Sequence, residues 1–336
     1  MGDSRKFLTG FQGMRIAAAM LAVMGFGLTT GTADAKPDKT KITVGIPVLA
    51  GTFLPVYLAE DEGLFKKEGL DVKVLAFRGG SALAKAAIAN NVDIGLTSLA
   101  GVNVGIAAKQ PLRAFYAGFN MAIFEWWATP KIKSMKDVKG TRWGVSRYGS
   151  STDFLTRYAL SARGYDPKKD VQIIQGGRSS TRLAAQKAGQ LDVNIFVAPE
   201  TILAKKLGYN RILKQTDLAA DYPFHVWFAK DGFIKKYHGT IIALLRAHVR
   251  AVRIAKTDKA RAMKSLAKHI KMDPKYLSDT YDSFIDFIHA DGRLPSDKGL
   301  DVFFEMGIKS GTYKSKWPKS RYWTSQFVDS YNQWKP

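Results

Sequence analysis

The hydrophobic and polar positions along this chain predict short strands that alternate with amphipathic helices. Apolar runs predict strands over residues 42–46, 71–74 and 91–96, and apolar residues at helical spacing predict helices over 54–62 and 81–89. This succession of strand, helix, strand, helix and strand is the pattern that builds a parallel sheet with helices on both faces. The first part of the chain is therefore predicted to be an α/β unit.

The same pattern occurs a second time, between residues 141 and 195. Gly45 and Gly144 lie 99 positions apart, and so do Asp93 and Asp192. Two copies of one unit predict two similar lobes. A solute would then bind where the carboxyl ends of the strands and the amino ends of the helices of both lobes converge.

The rest of the chain is predicted to be mainly helical. Residues 224–229 form a strand candidate that would return the chain to the first lobe. Helices are predicted over residues 240–256, 260–270, 274–289 and 297–309. Trp317, Trp323 and Trp334 follow in an aromatic C-terminal stretch, which we expect to pack against a lobe.

The N-terminus is typical of an export signal. Arg5, Lys6 and Arg15 precede an apolar run over residues 16–28, which is shorter than the ~20 residues of a membrane span. The small residues that follow end in the cleavage pattern Ala33-Asp34-Ala35. We therefore predict a signal peptide over residues 1–35 and a periplasmic mature protein that begins at Lys36. With no second long apolar stretch and no cysteine for a lipid anchor, that protein is expected to be soluble.

The charge of the chain favours an anionic partner. The 336 residues include 51 Lys and Arg against 29 Asp and Glu, a net charge of +22. Removal of residues 1–35 takes away three Lys/Arg and two Asp/Glu, which leaves +21. Basic residues attract nucleic acid, membrane headgroups or small anions. Here they are spread along the chain instead of being grouped in a tail, which favours a basic surface over a nucleic-acid-binding arm.

The sequence contains no recognisable catalytic or metal-binding motif. The five histidines lack metal-ligand spacing, and four of them lie in the helical C-terminal region, where we expect solvated or capping roles. Neither a G-x-S-x-G elbow nor a phosphate-binding P-loop occurs. Without cysteine, thiolate chemistry is excluded. We therefore predict a protein that is not an enzyme and uses no cofactor or metal.

Candidate ligand-binding residues lie in turns between strands and helices. Hydroxyl-rich turns recur at equivalent positions of the two units, where they can cap a helix, bind an anion, or do both. Arginines in or beside these turns, Arg78, Arg147, Arg178 and Arg182, can grip sulfonate or carboxylate oxygens. Nearby aromatic residues could wall an apolar part of the solute. The predicted binding set is Phe53, Tyr57, Arg78, Gly80, Ser81, Ser98, Trp126, Ser150, Ser151, Thr152, Arg178 and Ser179.

The chain resembles the nitrate/sulfonate/taurine-type periplasmic substrate-binding proteins of ABC importers. The resemblance covers most of residues 41–230. It rests on residues 42–47 and 132–140 and on the segments Tyr57-Leu58-Ala59, Glu62-Gly63-Leu64-Phe65, Glu68-Gly69-Leu70-Asp71-Val72, Gly79-Gly80-Ser81 and Val92-Asp93-Ile94-Gly95. A related branch contains thiamine-pyrimidine synthases, which use a cysteine-rich motif that this chain lacks.

What the resemblance implies is a two-lobed α/β fold with a mixed, mostly parallel sheet in each lobe. Residues 36–120 and 222–336 would form the first lobe and residues 121–221 the second. Hinge strands would lie near residues 119–125 and 221–224. The two lobes would close on a solute and deliver it to an inner-membrane ABC permease.

We therefore predict a monomeric binding protein for a small organic anion, a sulfonate or a carboxylate. Nitrate or an uncharged heterocycle such as a pyrimidine remain alternative ligands. An exported enzyme on the same scaffold is a different class of function. So is a basic protein that binds nucleic acid or a membrane surface, whose affinity would fall steeply as salt rises.

Overall fold

The chain alternates strands and helices in the order that the sequence predicts. The computed structural model describes residues 36–121, 123–219 and 221–336. The predicted signal peptide, residues 1–35, lies outside the described residues. The strands are β1 Lys41–Ile46, β2 Asp71–Ala76, β3 Ile94–Thr97, β4 Leu112–Met121, β5 Glu125–Ala128, β6 Arg142–Val145, β7 Gln172–Gln175, β8 Val193–Phe196, β9 Asn210–Lys214 and β10 Asp221–Lys230.

Most helices are short, and the longest lie in the C-terminal third. The α-helices are α1 Leu54–Asp61, α2 Leu64–Lys67, α3 Gly80–Ile88, α4 Leu99–Ala107, α5 Ser151–Ala162, α6 Ser179–Lys187, α7 Glu200–Lys206, α8 Asp231–Lys236, α9 His238–Thr257, α10 Lys259–His269, α11 Leu277–Asp282, α12 Asp297–Lys309, α13 Gln326–Asp329 and α14 Tyr331–Trp334. Short 3-10 turns occupy Gly51–Phe53, Met135–Asp137, Gln215–Asp217, Pro274–Tyr276, Ile285–Phe287 and Lys319–Arg321. None of the helices in the described part of the chain is long and apolar enough to cross a membrane.

The strands form two five-stranded sheets with the same topology. The first sheet has the order β2-β1-β3-β10-β4 and the second the order β7-β6-β8-β5-β9. In each sheet the first three strands are parallel, and the fourth is antiparallel to both of its neighbours. Each sheet is therefore mixed and mostly parallel, which confirms the predicted fold class. The predicted internal repeat is also confirmed, because β1, β2 and β3 correspond to β6, β7 and β8.

One pair of aspartates shows how closely the two units correspond. Asp93 Oδ2 accepts a hydrogen bond of 2.8 Å from the backbone N–H of Thr43, and Asp192 Oδ2 accepts one of 2.8 Å from the backbone N–H of Arg142. Each carboxylate thereby ties the turn before the third strand of its unit to the first strand. The two aspartates that lie 99 residues apart in the sequence thus make the same hydrogen bond in the two units.

The chain crosses between the sheets twice. It leaves the first sheet after β4 and enters the second at β5, and it returns between the end of β9 and the start of β10. The first crossing falls within the predicted hinge at residues 119–125. The second predicted hinge, residues 221–224, lies at the start of β10, directly after the return crossing. The described residues form one compact unit, so the lobe boundaries at 120/121 and 221/222 stay a prediction.

The prediction of one continuous helix over residues 274–289 is wrong. The segment is split into a 3-10 turn, α11 and a second 3-10 turn. The helix ends because the chain is drawn to the edge of the first sheet. The N–H of His289 donates to the carbonyl oxygen of Gly118 at 3.0 Å, and Ile288 forms an isolated bridge with Phe119.

The C-terminal aromatic stretch packs as the sequence predicts. Trp317, Trp323 and Trp334 are all buried. Trp323 forms a parallel bridge with Ala114 of β4, so the end of the chain covers the first sheet.

Candidate ligand-binding site

A narrow cavity lies at the carboxyl ends of the strands, between segments of the two sheets. Its wall is built from the turns that follow β1, β2, β3, β6, β7 and β8, together with the start of β10. The cavity leaves about 70 Å³ for the centres of water-sized molecules, which is room for a few waters or one small solute. This is the place where the repeated α/β pattern predicts a site.

Four helices of eight residues or more begin at the cavity. The wall includes Gly80 at the start of α3, Ser98 before α4, Ser151 at the start of α5 and Ser179 at the start of α6. The first N–H groups of a helix lack partners within the helix, and the helix dipole is positive at this end. Helices α3 and α6 are equivalent in the two repeated units, so both units contribute the same kind of donor.

The hydroxyl-rich turns supply fewer helix N-caps than the sequence predicts. Ser98 Oγ does accept a hydrogen bond of 3.2 Å from the N–H of Gly101. Gly79, Ser150 and Arg178 hold the N-cap positions of α3, α5 and α6, and none of these three makes a side-chain cap bond. The N-terminal N–H groups of these three helices therefore remain available to a ligand.

Serine and threonine hydroxyls form a bonded group on the second-sheet side of the cavity. Ser146 Oγ lies 2.8 Å from Ser150 Oγ and 2.9 Å from Thr152 Oγ1, and Thr152 Oγ1 accepts from the N–H of Ser146 at 2.9 Å. Ser98 and Ser151 hydroxyls are hydrogen-bonded to each other across the two units. The wall is thus hydroxyl-rich and ordered by its own hydrogen bonds.

Arg182 places a buried positive charge in the wall. Arg182 is only 2% exposed. Its Nη1 donates to the carbonyl oxygen of Ile195 at 2.8 Å and to that of Gly144 at 3.1 Å. Nη2 donates to Ser179 Oγ at 3.2 Å. Burial lowers the pKa of the Arg182 guanidinium to about 10, so it stays charged at neutral pH.

The two arginines of the predicted set lie at the rim of the cavity. Arg78 and Arg178 both line it and are exposed. Neither forms an ion pair with another described residue. Both can therefore turn toward an anion, in contrast to Arg182, whose position is fixed by the backbone carbonyls that it binds.

No carboxylate balances these cations at the cavity surface. None of the described residues that line the cavity is Asp or Glu. The carboxylate whose charge acts on Arg182 is that of Glu200, at the start of α7, outside the cavity lining. Burial raises the pKa of the Glu200 carboxyl to about 7, and the charge of Arg182 opposes this rise. The cavity surface is therefore positive overall, which favours an anion.

Aromatic rings form the apolar part of the wall. Phe53, Phe77, Phe124 and Phe224 all line the cavity. His225 lies among them, with its ring centroid 4.3 Å from that of Phe53 and 4.5 Å from that of Phe224. Burial, with a smaller contribution from His248, lowers the pKa of His225 to about 3, so this histidine is neutral at physiological pH.

Nine of the twelve predicted residues line the cavity, although binding itself stays a prediction. The nine are Phe53, Arg78, Gly80, Ser98, Ser150, Ser151, Thr152, Arg178 and Ser179. The convergence follows from the repeat, because equivalent turns of two units with one topology meet at one place. The structure adds Arg182 from the turns and Thr52, Phe124, Phe224 and His225 from other segments. Phe124 and Phe224 lie close to the two points where the chain passes from one sheet to the other. This position could have identified them as candidate lining residues.

Three predicted residues lie outside the cavity wall. Trp126 is fully buried, and its Nε1 donates to Thr156 Oγ1 at 3.0 Å. The Tyr57 hydroxyl donates to the carbonyl oxygen of Ala50 at 3.2 Å, which holds the turn that does line the cavity. Ser81 Oγ donates to the carbonyl oxygen of Tyr148 at 3.0 Å and so links the two units. All three side chains are used in packing or in bonds within the protein.

The prediction of solvated or capping roles for the C-terminal histidines is wrong for His248. This residue of α9 is buried between Tyr116 and Trp227, which contact it edge-on. Within the described residues, no group of three or more His, Cys, Asp or Glu side chains is placed to hold a metal ion.

The chain belongs to the NMT1-like family, since the model of that family matches residues 35–271. A candidate binding protein of Bacillus subtilis (strain 168), YtlA, is 25% identical over 229 residues, which are 63% of this chain and 65% of YtlA. A candidate binding protein of Brucella abortus (strain 2308) is 31% identical over 171 residues, 50% of this chain and 51% of that protein. The chain thus spans between half and two thirds of the length of these relatives.

Solved structures share the fold over most of the chain. A protein of Bordetella bronchiseptica RB50 aligns with a TM-score of 0.77 at 23% identity, covering 89% of this chain and 98% of that one. The alkanesulfonate-binding protein SsuA from Xanthomonas axonopodis pv. citri, bound to MOPS, aligns with a TM-score of 0.67 at 16% identity, over 80% and 94%. The periplasmic nitrate-binding protein NrtA from Synechocystis PCC 6803 aligns with a TM-score of 0.61 at 17% identity, over 74% and 70%. The fold is that of periplasmic binding proteins.

Proposed function

We propose that this chain is the periplasmic solute-binding component of an ABC-type importer and that it captures a small organic anion, a sulfonate or a carboxylate. The anion would bind between the two lobes and pass from there to an inner-membrane permease. The observation that carries this proposal is the convergence of four helix N-termini and the buried cation Arg182 on one cavity whose described lining contains no carboxylate.

The cavity supplies what an anion needs when it leaves water. A desolvated anion must regain hydrogen bonds, and charge-assisted bonds contribute about 1.5–3 kcal/mol each. The uncapped N–H groups at the N-termini of α3, α5 and α6 and the guanidinium N–H groups of Arg178 together offer more than four such bonds. That number is enough for micromolar affinity, about −8 kcal/mol, after the cost of association.

The apolar half of the wall favours an organic anion over nitrate. Phe53, Phe77, Phe124 and Phe224 can cover the carbon part of a solute, and nitrate has none. Among proteins of this fold, SsuA is bound to MOPS, which carries a sulfonate group, and NrtA is named for nitrate. Nitrate and an uncharged heterocycle are therefore the alternative ligands to test.

A thermal-shift panel on the mature protein tests the proposal. Sulfonates, carboxylates, nitrate, pyrimidines and amino acids would be compared at a fixed concentration. An anion at 100 times its dissociation constant should stabilise the protein by about 2.7 kcal/mol and should be recovered unchanged. Consumption of the compound by the purified protein would indicate an enzyme instead. Stabilisation by pyrimidines alone would contradict an anion site.

Arg178→Ala should weaken binding of the best organic anion from this panel at least tenfold. Arg178 lines the cavity, is exposed and forms no ion pair with another described residue, so its loss should leave the melting temperature of the unliganded protein unchanged. Titration calorimetry and thermal denaturation measure the two effects.

Arg163→Ala is the matched control. Arg163 is also exposed and ends α5 away from the cavity, so this variant loses the same charge but should bind normally. Equal weakening in both variants would mean that long-range attraction, and not contact with Arg178, controls affinity. Normal binding by Arg178→Ala would remove Arg178 from the site.

A further inference from the structure

Most of the buried side chains in the cavity wall already use their polar atoms in bonds within the protein, but two fully buried side-chain atoms have no partner among the described residues. The hydroxyls of Ser98, Ser151, Ser150 and Thr152 are hydrogen-bonded, and Arg182 binds backbone carbonyls. In contrast, Thr52 Oγ1 and His225 Nε2 are buried and make no hydrogen bond with any described residue. Buried polar atoms without partners are uncommon in folded proteins, and each one calls for an explanation.

These two groups lie in the aromatic part of the wall. Thr52 is 3% exposed and precedes Phe53, whose ring stacks on His225, itself 4% exposed. Thr52, Phe124 and Val197 also line a second cavity, which the arginines do not reach. Thr52 therefore marks the side of the first cavity that faces away from the proposed anion-binding arginines.

We propose that the solute carries, besides its anionic group, a second polar group that is uncharged and hydrogen-bonds with Thr52 and His225. This inference rests on the proposed function and narrows its ligand to an anion with a hydroxyl, amide or similar neutral group at its other end. Phe53, Phe124 and Phe224 would cover the apolar part between the two groups.

The second group is neutral because the described lining residues offer it no free carboxylate. Glu125, which lines the second cavity together with Thr52, already binds the guanidinium of Arg211 at 2.9 Å and accepts from Trp127 Nε1 at 2.9 Å. His225 is uncharged at physiological pH, and a neutral imidazole and a hydroxyl can each donate and accept one hydrogen bond. A buried ammonium would need a carboxylate nearby, and none of the described residues that line the first cavity is Asp or Glu. The site should therefore prefer a hydroxyl to an amine.

Six small probes test this preference with the mature protein. They are ethanesulfonate, 2-hydroxyethanesulfonate, 2-aminoethanesulfonate, propionate, 3-hydroxypropionate and 3-aminopropionate. In the anion series that binds, titration calorimetry should show the hydroxy compound binding at least tenfold tighter than both the plain and the amino compound. No gain from the hydroxyl, or tighter binding of the amine, would overturn the inference while leaving the anion site in place. If none of the six binds, both the inference and the organic-anion proposal fail.

Thr52→Val and His225→Phe test whether these two residues hydrogen-bond with the second polar group of the solute. Each should reduce the hydroxyl preference at least fivefold and leave the affinity for the plain anion within twofold of wild type. Thr52→Val should also raise the melting temperature of the unliganded protein by about 2–4 °C, because it removes a buried hydroxyl that has no partner. A purely structural Thr52 would give a lower melting temperature and an unchanged preference, which would contradict the proposal.

Thr156→Val is the matched control. Thr156 is buried too, but its hydroxyl accepts from Trp126 and lies outside the cavity. This variant should lower the melting temperature and keep the hydroxyl preference. The melting temperature should thus rise in Thr52→Val and fall in Thr156→Val. This difference distinguishes a hydroxyl that binds the ligand from one that stabilises the fold.

Discussion

Arg182→Met should weaken binding of the anion that best stabilises the wild-type protein at least 100-fold. The variant keeps an unbranched side chain that fills part of the same space, but it removes the buried charge of the cavity wall. It also removes the hydrogen bonds that the guanidinium donates to the carbonyl oxygens of Gly144 and Ile195. We therefore expect a loss of about 3 kcal/mol or more in the free energy of unfolding. Titration calorimetry and urea denaturation measure the two quantities.

Arg142→Met serves as the control for Arg182→Met. Arg142 lies on the same sheet and binds Asp192, away from the cavity. Its replacement removes the same charge and should lower stability by a smaller amount while leaving affinity unchanged. If Arg182→Met bound the anion as tightly as wild type, Arg182 would serve only to hold the second sheet together.

Acidification should destabilise the protein strongly, because two histidines are buried in their neutral form. Burial is the main cause that lowers the pKa of His225 and of His248 to about 3, and neighbouring histidines add to it. Below the ordinary histidine pKa of about 6.5, His225 and His248 bind protons in the unfolded chain but stay unprotonated in the folded protein. The free energy of unfolding should thus fall from about pH 6.5 towards pH 3, by up to about 1.4 kcal/mol per pH unit for each histidine.

His248→Phe tests this pH dependence. Both ring nitrogens of His248 lack hydrogen-bond partners among the described residues, so phenylalanine leaves nothing unpaired and should fold well at pH 7. Urea denaturation at pH 7, 5 and 4 should show a smaller loss of stability in the variant than in wild type. The same loss in both proteins would mean that other groups control acid unfolding.

The repeat made the architecture and most of the cavity wall predictable. The spacing of Gly45, Gly144, Asp93 and Asp192 revealed two copies of one unit. Equivalent turns of such units must face each other, so the serines and arginines that follow the strands could be placed at one site. The correspondence holds down to the backbone bonds that Asp93 and Asp192 accept.

The residues that escaped prediction depend on distant packing. Trp126 is turned into the core by its bond to Thr156 of α5, which no local pattern reveals. His225 reaches the cavity because the register of β10 against β4 places it beside Phe119 and Phe53. The break in the predicted helix at 274–289 arises likewise from a bond to Gly118, far away in sequence. Periodicity describes which face a residue occupies but not which distant partner that face meets.

The central claim is that the cavity recognises an anion, and a comparison of charged and neutral isosteres tests it most directly. Titration calorimetry of the mature protein would compare ethanesulfonate with ethyl methyl sulfone, and propionate with propionamide. The members of each pair have nearly the same shape and differ in charge. Four helix N-termini and Arg182 predict that at least one anion binds 100-fold or more tighter than its neutral counterpart. Equal or tighter binding of the neutral compounds would contradict an anion site at this cavity.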